Sequence, residues 1–334
     1  MLTFHKNKET VLLGHILEKN KRKPLYWHPK RDDELLIPPD FDSYFASKKF
    51  RNKYRLSKPE VEQIVPAIYD DEPLEKGPIK NKFFKIRDDL ETSAYTELRL
   101  QAGMEFIPQY FAEDKTAWPG TFMVTGASGS GKGYWILNEL IKPNLDGPRK
   151  NKRKFLYLSA EANVDKTIIN SGLKKQKYQN WIQFVDISES GMQSTEYKEP
   201  QEFFDKYVMP KIKYLPPGSL VILDDYMDSV IPHQLRHFSN KALRTYRHKG
   251  IGCLLVLHSI KSGLFSSQSH NSVKGFVLYP RSSFYKIKQW LKDDVNMSPS
   301  EIQILNEMKE KARSLYLHVH TPNYIANKRI VKLF

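Results

Sequence analysis

Residues 121–141 read TFMVTGASGSGKGYWILNELI, and this stretch decides the fold. A short apolar run comes first, a glycine-rich turn follows, and the segment ends in a helical pattern. That order of strand, loop and helix is the context that the phosphate-binding sequence G-x-x-x-x-G-K requires. Glycines allow successive backbone N–H groups to surround phosphate oxygens, and the helix N-terminus adds its positive end. We predict a nucleotide-binding loop made of Gly126, Ala127, Ser128, Gly129, Ser130, Gly131, Lys132 and Gly133.

Two residues at the end of this loop bear on catalysis. Lys132 can reach the β- and γ-phosphates of a bound nucleotide, and we assign it a catalytic role. The next residue is Gly133, whereas loops of this kind usually place Ser or Thr there to ligate magnesium. Water or another group then fills that metal position, or catalysis is weak. A chance glycine loop is the alternative, and the flanking strand and helix patterns count against it.

A second motif is LVILDD at residues 220–225, in which an apolar run is followed at once by two aspartates. Parallel α/β sheets bind their ligands at the carboxyl ends of the strands. We predict that Asp224 holds Mg²⁺, directly or through water, and that Asp225 orients or deprotonates the attacking water. Taken alone, the two aspartates could equally begin a turn or cap a helix.

Histidines occur at two further strand ends. The run CLLVLHS, residues 253–259, ends in His258 and Ser259, a position from which a polar side chain can sense the γ-phosphate. A capped strand end is nearly as good an interpretation. His318 and His320 alternate on a strand without the thiolates or carboxylates of a zinc site, so we predict no zinc.

Short apolar runs alternate with helical patterns from Trp118 onward, which predicts βαβ units and a mainly parallel sheet. Several of these runs are continuously apolar, as strands buried on both faces should be. We predict an α/β domain at residues 116–334 and a basic, irregular or partly helical accessory region at residues 1–115. The predicted strands are Thr121–Thr125, Lys154–Ser159, Ile182–Ile187, Leu220–Leu223, Cys253–His258 and Phe276–Tyr279.

The composition places the chain in a class and a compartment. It has 334 residues and one cysteine, Cys253, so no intrachain disulfide can form and a reducing compartment is expected. No apolar run approaches the ~20 residues that span a bilayer, and the first residues are too charged for a secretory signal. We therefore predict a soluble, intracellular protein with no membrane partner.

Positive charge is concentrated in one part of the chain. There are 53 Lys and Arg against 38 Asp and Glu, a net charge of +15. Residues 229–292 contain eleven Lys and Arg and not one Asp or Glu. Such exclusion of acids favours a surface that faces a polyanion over an incidental basic patch. The residues that we select as nucleic-acid contacts are Arg244, Arg247, Lys261 and Lys274.

The order of the motifs supports a family resemblance. Along the chain come GASGSGKG, LVILDD, RTYRHKGIGCLLVLHS, GFVLYPRSS and SLYLHVHTPNYIANKRIVKLF. Over about residues 100–334 the series resembles the FtsK/HerA-superfamily genome-packaging ATPases of large double-stranded DNA viruses, virophages and related mobile elements. In that family an Arg-His pair precedes the sensor strand, here Arg247 and His248. A Tyr/Phe-Pro-Arg follows a later strand, here Tyr279, Pro280 and Arg281. His258 stands where many relatives have Gln or Asn.

The resemblance implies a RecA-like P-loop NTPase fold with ATP and Mg²⁺ as cofactors. It implies a homo-oligomeric ring that drives double-stranded DNA into a preformed capsid, in the infected host cytoplasm or a viral factory, with capsid proteins as further partners and possible association with the virion. The loop itself contains no arginine, and charge that develops on the transferred phosphoryl group usually needs one. We therefore expect Arg281, or failing that Arg247, to act on the γ-phosphate of a neighbouring subunit.

Two other functions share some of these features. A nucleotide or nucleoside kinase has the loop, but it needs an acceptor pocket and an arginine-bearing lid where this chain has a long acid-free stretch. A non-enzymatic DNA-binding scaffold regulated by NTP is favoured by Gly133. Hydrolysis that DNA stimulates would separate the first alternative from a motor, and measured turnover would separate the second.

Overall fold

The computed structural model describes residues 2–4, 6, 8, 10–19, 21–29, 45–69, 74, 77–91, 97–112, 114–147, 151–258, 273–280, 284–293, 295–309, 312–320 and 322–333. The chain forms two compact units. Unit 1 contains Met1–Gln109 and Tyr324–Phe334, and unit 2 contains Tyr110–Asn323. The predicted division at residue 115 differs from these units chiefly in the last eleven residues. The division into accessory region and ATPase domain stays a prediction.

The strands of the described residues are β1 (Leu2–Thr3), β2 (Val11–Glu18), β3 (Lys21–Trp27), β4 (Glu97–Arg99), β5 (Met104–Pro108), β6 (Thr121–Thr125), β7 (Phe155–Ser159), β8 (Ile182–Asp186), β9 (Leu220–Asp224), β10 (Gly252–Leu257), β11 (Gly275–Leu278), β12 (Leu315–His318), β13 (Tyr324–Ala326) and β14 (Ile330–Leu333).

The α-helices are Lys48–Tyr54, Lys58–Tyr69, Pro78–Glu91, Lys132–Tyr134, Lys142–Asp146, Lys166–Ser171, Glu189–Gln193, Pro200–Glu202, Met209–Lys213, Pro232–Thr245, Phe284–Asp293 and Pro299–Lys309. Trp135–Ile141 and Phe203–Val208 are π-helical, and Gln176–Tyr178, Tyr226–Asp228 and Tyr246–Lys249 are 3-10 helices. None of the described helices has the length and apolar character needed to cross a membrane.

The sheet of unit 2 has the order β12-β11-β6-β10-β9-β7-β8. All neighbouring strands in it are parallel except β12, which runs antiparallel to β11. Every residue of β6, β7, β9, β10 and β11 is buried, as the continuous apolar runs predicted. The predicted α/β P-loop NTPase fold with a mainly parallel sheet is therefore confirmed.

The helix that follows the loop is not uniformly α-helical. It begins as Lys132–Tyr134, continues through the π-helical segment Trp135–Ile141, and ends as Lys142–Asp146. Five apolar residues of the π-helical segment are buried: Trp135, Ile136, Leu137, Leu140 and Ile141. This burial anchors the loop to the core of unit 2, since each large apolar side chain contributes about 1.5–3 kcal/mol when removed from water.

Arg153 fixes the segment that leads into β6. Its side chain is buried although it carries a charge. The guanidinium donates hydrogen bonds to the backbone carbonyls of Ala112, Asp114, Lys115, Ala117 and Gly218. Gly218 has φ +86°, and a Cβ there would lie 1.6 Å from the carbonyl oxygen of Lys115, so this close approach requires glycine.

Unit 1 contains a sheet that the sequence did not predict. Strands β1, β3, β2 and β5 form an antiparallel sheet in that order, and β4, β14 and β13 form a second antiparallel set. A register shift between Leu12 and Gly14 interrupts the alternation of β2, which obscures its strand pattern. The predicted helical content is present, because Phe50, Ile64 and Phe83 from three helices share one apolar core.

Candidate nucleotide-binding site

The carboxyl edge of the unit 2 sheet brings three sequence motifs together. The glycine loop follows β6, His258 follows β10, and Asp224 ends β9. Strand β10 lies between β6 and β9, so the three strand ends are neighbours in the sheet. The backbone N–H of Gly126 donates to the carbonyl of Leu257 at 3.2 Å, which joins the start of the loop to the end of β10. Residues far apart in sequence thus form one site, as a parallel sheet predicts.

The backbone of the loop depends on its glycines. Gly129 and Gly131 have φ +71° and +106°, conformations that side chains disfavour. A Cβ at Gly126 would lie 2.5 Å from Cβ of Tyr279. The hydroxyl oxygen of Ser130 is buried and has no hydrogen-bond partner among the described residues. A loop with this backbone and a spare hydroxyl fits a phosphate group.

Lys132 is the cation of the site. Its side chain is only 7% exposed, and its ammonium donates to the carbonyls of Gly126 at 2.7 Å and Ala127 at 3.0 Å. Burial lowers the pKa of Lys132, while the negative charges of Asp225 and Asp224 act in the opposite direction. A desolvated ammonium that donates to backbone carbonyls can gain by exchanging them for an anionic oxygen.

Asp224 lies at the end of β9 and is 6% exposed. Burial raises the pKa of its carboxyl to about 7, and the neighbouring charge of Asp225 adds to this effect. Oδ2 accepts a hydrogen bond from the hydroxyl of Tyr157 on the adjacent strand β7, which opposes the rise in pKa. A nearby cation would favour the ionised carboxylate, as expected for a group that holds a metal ion.

Asp225 and His258 are in contact. Asp225 has φ +49° and begins the 3-10 helix Tyr226–Asp228, but its side chain makes no capping hydrogen bond there. Its Oδ1 contacts Nε2 of His258. The other ring nitrogen, Nδ1, is 3.3 Å from the ammonium of Lys132. When the ammonium donates to Nδ1, Nε2 carries the proton and faces the carboxylate. The imidazole thus connects the loop lysine to the second acid of the strand end.

Two side chains support the loop in ways that the sequence did not predict. The hydroxyl of Tyr279 donates to the carbonyl of Gly131 at 3.0 Å. Nε of Arg313 donates to the carbonyl of Ser130 at 3.0 Å. Arg313 is separated from Ser130 by 183 positions, so no local pattern reveals the contact. Tyr279 was noted only as part of the Tyr-Pro-Arg motif.

A third group comes from the segment after β7. The negative charge of Asp165 contributes to the raised pKa of Asp224. Asp165 caps the helix Lys166–Ser171, and its Oδ1 accepts from the backbone N–H of Thr167 at 2.6 Å. This segment carries no phosphate-loop or strand-end motif, so the sequence analysis did not select Asp165 as a site residue.

The donor set at this edge partly fits a magnesium ion. Asp224 and Asp225 offer carboxylate oxygens, which Mg²⁺ prefers as ligands. Position 133 offers none. Apart from its chain neighbours and its own helix backbone, a Cβ placed there would meet Thr167 alone among the described residues, with Cγ2 at 3.8 Å and Cβ at 3.9 Å. When a nucleotide is bound, Asp224 would hold the ion, and the ion would neutralise phosphate charge.

The residues selected as nucleic-acid contacts are placed differently. Arg247 is exposed on the 3-10 helix Tyr246–Lys249. Lys274 is half-buried at the amino end of β11, where its backbone N–H donates to Thr121, and burial lowers the pKa of its ammonium. It therefore lies at the opposite edge of the sheet from the loop. Arg244 lies in the helix Pro232–Thr245, but its side chain is outside the described residues. Lys261 lies outside them entirely, and so does Arg281, which was predicted to be catalytic.

Comparisons with known proteins give similar structures but no family model and no curated relative. The genome packaging NTPase of Sulfolobus turreted icosahedral virus 2, in complex with ATP-gammaS, is 15% identical, with 64% of this chain and 96% of that chain covered and a TM-score of 0.36. The pCW3 conjugation coupling protein TcpA with ATPgS is 13% identical, with 72% and 66% covered and a TM-score of 0.34. EssC (ATPases 2 and 3) from Geobacillus thermodenitrificans is 12% identical, with 72% and 44% covered and a TM-score of 0.33. Because these identities and TM-scores are low, we infer function from the geometry of the site.

Proposed function

We propose that this chain is a magnesium-dependent P-loop ATPase that moves double-stranded DNA. The observation that carries the proposal is the meeting of Lys132, His258 and Asp225 beside the buried Asp224 at one edge of a parallel sheet. A lysine from the loop and two acids from a strand end are the parts that ATP hydrolysis requires. A glycine loop that arose by chance is not expected to contact an acidic strand end through a histidine.

Each residue has a distinct role in this proposal. On nucleotide binding, Lys132 exchanges the carbonyls of Gly126 and Ala127 for oxygens of the β- and γ-phosphates. Asp224 holds the magnesium ion. Asp225 orients the attacking water and accepts its proton, while His258 holds that carboxylate in place and senses the γ-phosphate through Lys132.

Exposed basic residues support DNA as the partner. In the acid-free stretch, seven described Lys and Arg side chains are exposed: Arg236, Lys241, Arg247, Lys249, Lys286, Lys288 and Lys292. Such residues bind phosphates of either strand without reading sequence, as a translocase requires. We further propose, from the motif order, a homo-oligomeric ring that packages DNA into a viral capsid in the infected cell. Capsid proteins would be further partners, and the protein could be carried on the virion.

An ATPase assay with and without double-stranded DNA tests this function. We expect magnesium-dependent hydrolysis that DNA stimulates. Lys132→Ala should abolish hydrolysis and weaken nucleotide binding, because it removes the only loop cation that faces the phosphates. Lys142→Ala, on the same helix but away from the loop, is the matched control. Wild-type turnover in Lys132→Ala would overturn the site.

A second candidate is an NTP-regulated DNA-binding scaffold, which the missing hydroxyl at Gly133 favours. It would bind nucleotide and DNA with no measurable turnover. A kinase would transfer the phosphoryl group to an acceptor, and DNA would not stimulate its hydrolysis.

A further inference from the structure

The loop lacks a hydroxyl at Gly133, and one neighbouring residue lies against that position. A Cβ added at Gly133 would be 3.8 Å from Cγ2 and 3.9 Å from Cβ of Thr167. Apart from the chain neighbours and the backbone of its own helix, no other described residue comes within 4 Å. These are ordinary van der Waals distances, so the space that a Ser or Thr side chain would take is open. Thr167 forms one wall of it.

Thr167 has a hydroxyl without a hydrogen-bond partner in the part of the chain that the structure describes. No described residue forms a hydrogen bond with this hydroxyl, although the backbone N–H of Thr167 is bonded to Asp165. The residue is only partly buried. Threonine in a helix has two accessible χ1 rotamers, and rotation about the Cα–Cβ bond exchanges the places of its methyl and hydroxyl groups. One such rotation would turn the oxygen towards position 133.

The segment that carries Thr167 follows the strand beside the acids of the site. Strand β7, which precedes it, pairs with β9 so that Ser159 is opposite Asp224. A hydroxyl, a carboxylate at the strand end and the phosphates of a nucleotide are the oxygen ligands that Mg²⁺ commonly receives in P-loop NTPases.

We propose that Thr167 supplies the hydroxyl ligand for nucleotide-bound magnesium that P-loops usually take from the residue after the lysine. This proposal rests on the proposed function, since it assumes that the loop binds a magnesium nucleotide. The hydroxyl comes from a different helix, so the ion joins the segment 165–171 to the loop, a link that a Ser at position 133 would not make.

The affinity for a fluorescent, non-hydrolysable ATP analogue, measured with Mg²⁺ and with EDTA, tests the proposal without a turnover assay. Thr167→Val keeps the shape and removes the hydroxyl, and it should reduce the Mg²⁺-dependent gain in affinity by roughly tenfold. Its affinity in EDTA should equal that of the wild type. Thr167→Ser should keep most of the gain. Thr245→Val, an exposed threonine on another helix, is the matched control and should change neither value.

Gly133→Ser provides the second arm. The position has room and no positive φ, so serine should fit there. Added to Thr167→Val, it should restore the Mg²⁺-dependent gain. A wild-type gain in Thr167→Val overturns the proposal while leaving nucleotide binding intact. Failure of the wild-type protein to bind the analogue under either condition overturns the proposed function itself. A loss in EDTA as well as in Mg²⁺ assigns Thr167 a structural role and also contradicts the proposal.

Discussion

His258 connects the two charged ends of the site. Its ring lies between the ammonium of Lys132 and the carboxylate of Asp225. A γ-phosphate that attracts Lys132 would weaken the contact to Nδ1, and the ring would then be free to change its contact with Asp225. In the proposed mechanism, recognition of the phosphate by the loop would in this way reach Asp225, the residue proposed to orient the attacking water, without any movement of the sheet.

Asp225→Asn should leave nucleotide binding largely intact and reduce hydrolysis by roughly 10²–10⁴-fold, because an amide fits the space but does not accept a proton. Binding of the ATP analogue and steady-state phosphate release measure the two effects. Asp228→Asn, an exposed acid three residues later, is the control. If Asp224→Asn shows this behaviour and Asp225→Asn does not, the roles of the two aspartates are reversed.

Local motifs decide what the sequence predicts at this scale. Lys132 and Asp224 each lie within a run of neighbours whose pattern indicates a loop or a strand end. Tyr157 and Tyr279 lie in apolar runs that predict strands but no contact to the site, and Arg313 lies in no predicted run. Their contacts to Asp224, Gly131 and Ser130 exist only because distant segments meet. One sequence without its fold contains no signal for such contacts.

At the level of elements, the loop is supported by its neighbours in the sheet. Tyr279 follows β11, whose parallel pairing with β6 brings the tyrosine ring beneath Gly126 and its hydroxyl to Gly131. Arg313, just before β12, donates a hydrogen bond to the preceding carbonyl, that of Ser130. The loop conformation therefore depends on two strands that contain no phosphate-binding motif.

Tyr279→Phe should weaken nucleotide binding by roughly fivefold, because loss of one hydrogen bond costs about 1 kcal/mol. Titration with the ATP analogue measures this change. Tyr214→Phe removes a hydroxyl from a side chain that is 86% exposed, and it should have no effect. Unchanged affinity in Tyr279→Phe would show that the loop keeps its conformation without this contact.

Element prediction succeeded where pattern and burial agree. The six predicted strands of the parallel sheet all exist, with ends within one residue of those observed. The π-helical turns of Trp135–Ile141 were not predicted, because their hydrogen bonds depend on packing that the apolar periodicity does not report. In unit 1, β3 reads KRKPLYW, and its first half is charged and exposed, so the apolar pattern of a strand is missing there.

At the level of the whole molecule, the exposed basic residues are the proposed contacts to DNA. Replacing Arg247 and Lys249 with Gln should weaken DNA binding and lower the slope of log affinity against log salt by about two, while basal hydrolysis is unchanged. Fluorescence anisotropy over a range of salt concentrations gives this slope. Lys175→Gln with Lys177→Gln removes the same charge outside the acid-free stretch. Equal slopes in the two double variants would exclude this surface from the DNA path.

Arg281 is expected to act across a subunit boundary. Arg281→Ala and Lys132→Ala should each be inactive, but their mixture should recover activity, because some interfaces would pair an intact loop with an intact arginine. Phosphate release during titration of one variant into the other is the measurement. Normal assembly of the mixture with no recovery would instead assign Arg281 to its own subunit or to DNA.

The pairing of β4 with β14 has a consequence for synthesis. Arg99 pairs with Ile330, 231 positions later, whereas β1, β2, β3 and β5 all lie within the first 108 residues. At roughly 5–20 residues per second, a ribosome needs tens of seconds to make the intervening chain. All of unit 2 is synthesised in that interval, so its strands can fold before β14, the strand that pairs with β4 in the described residues, has been made. A chain stalled before residue 324 would present that strand edge to other nascent chains, which makes truncated products prone to aggregate.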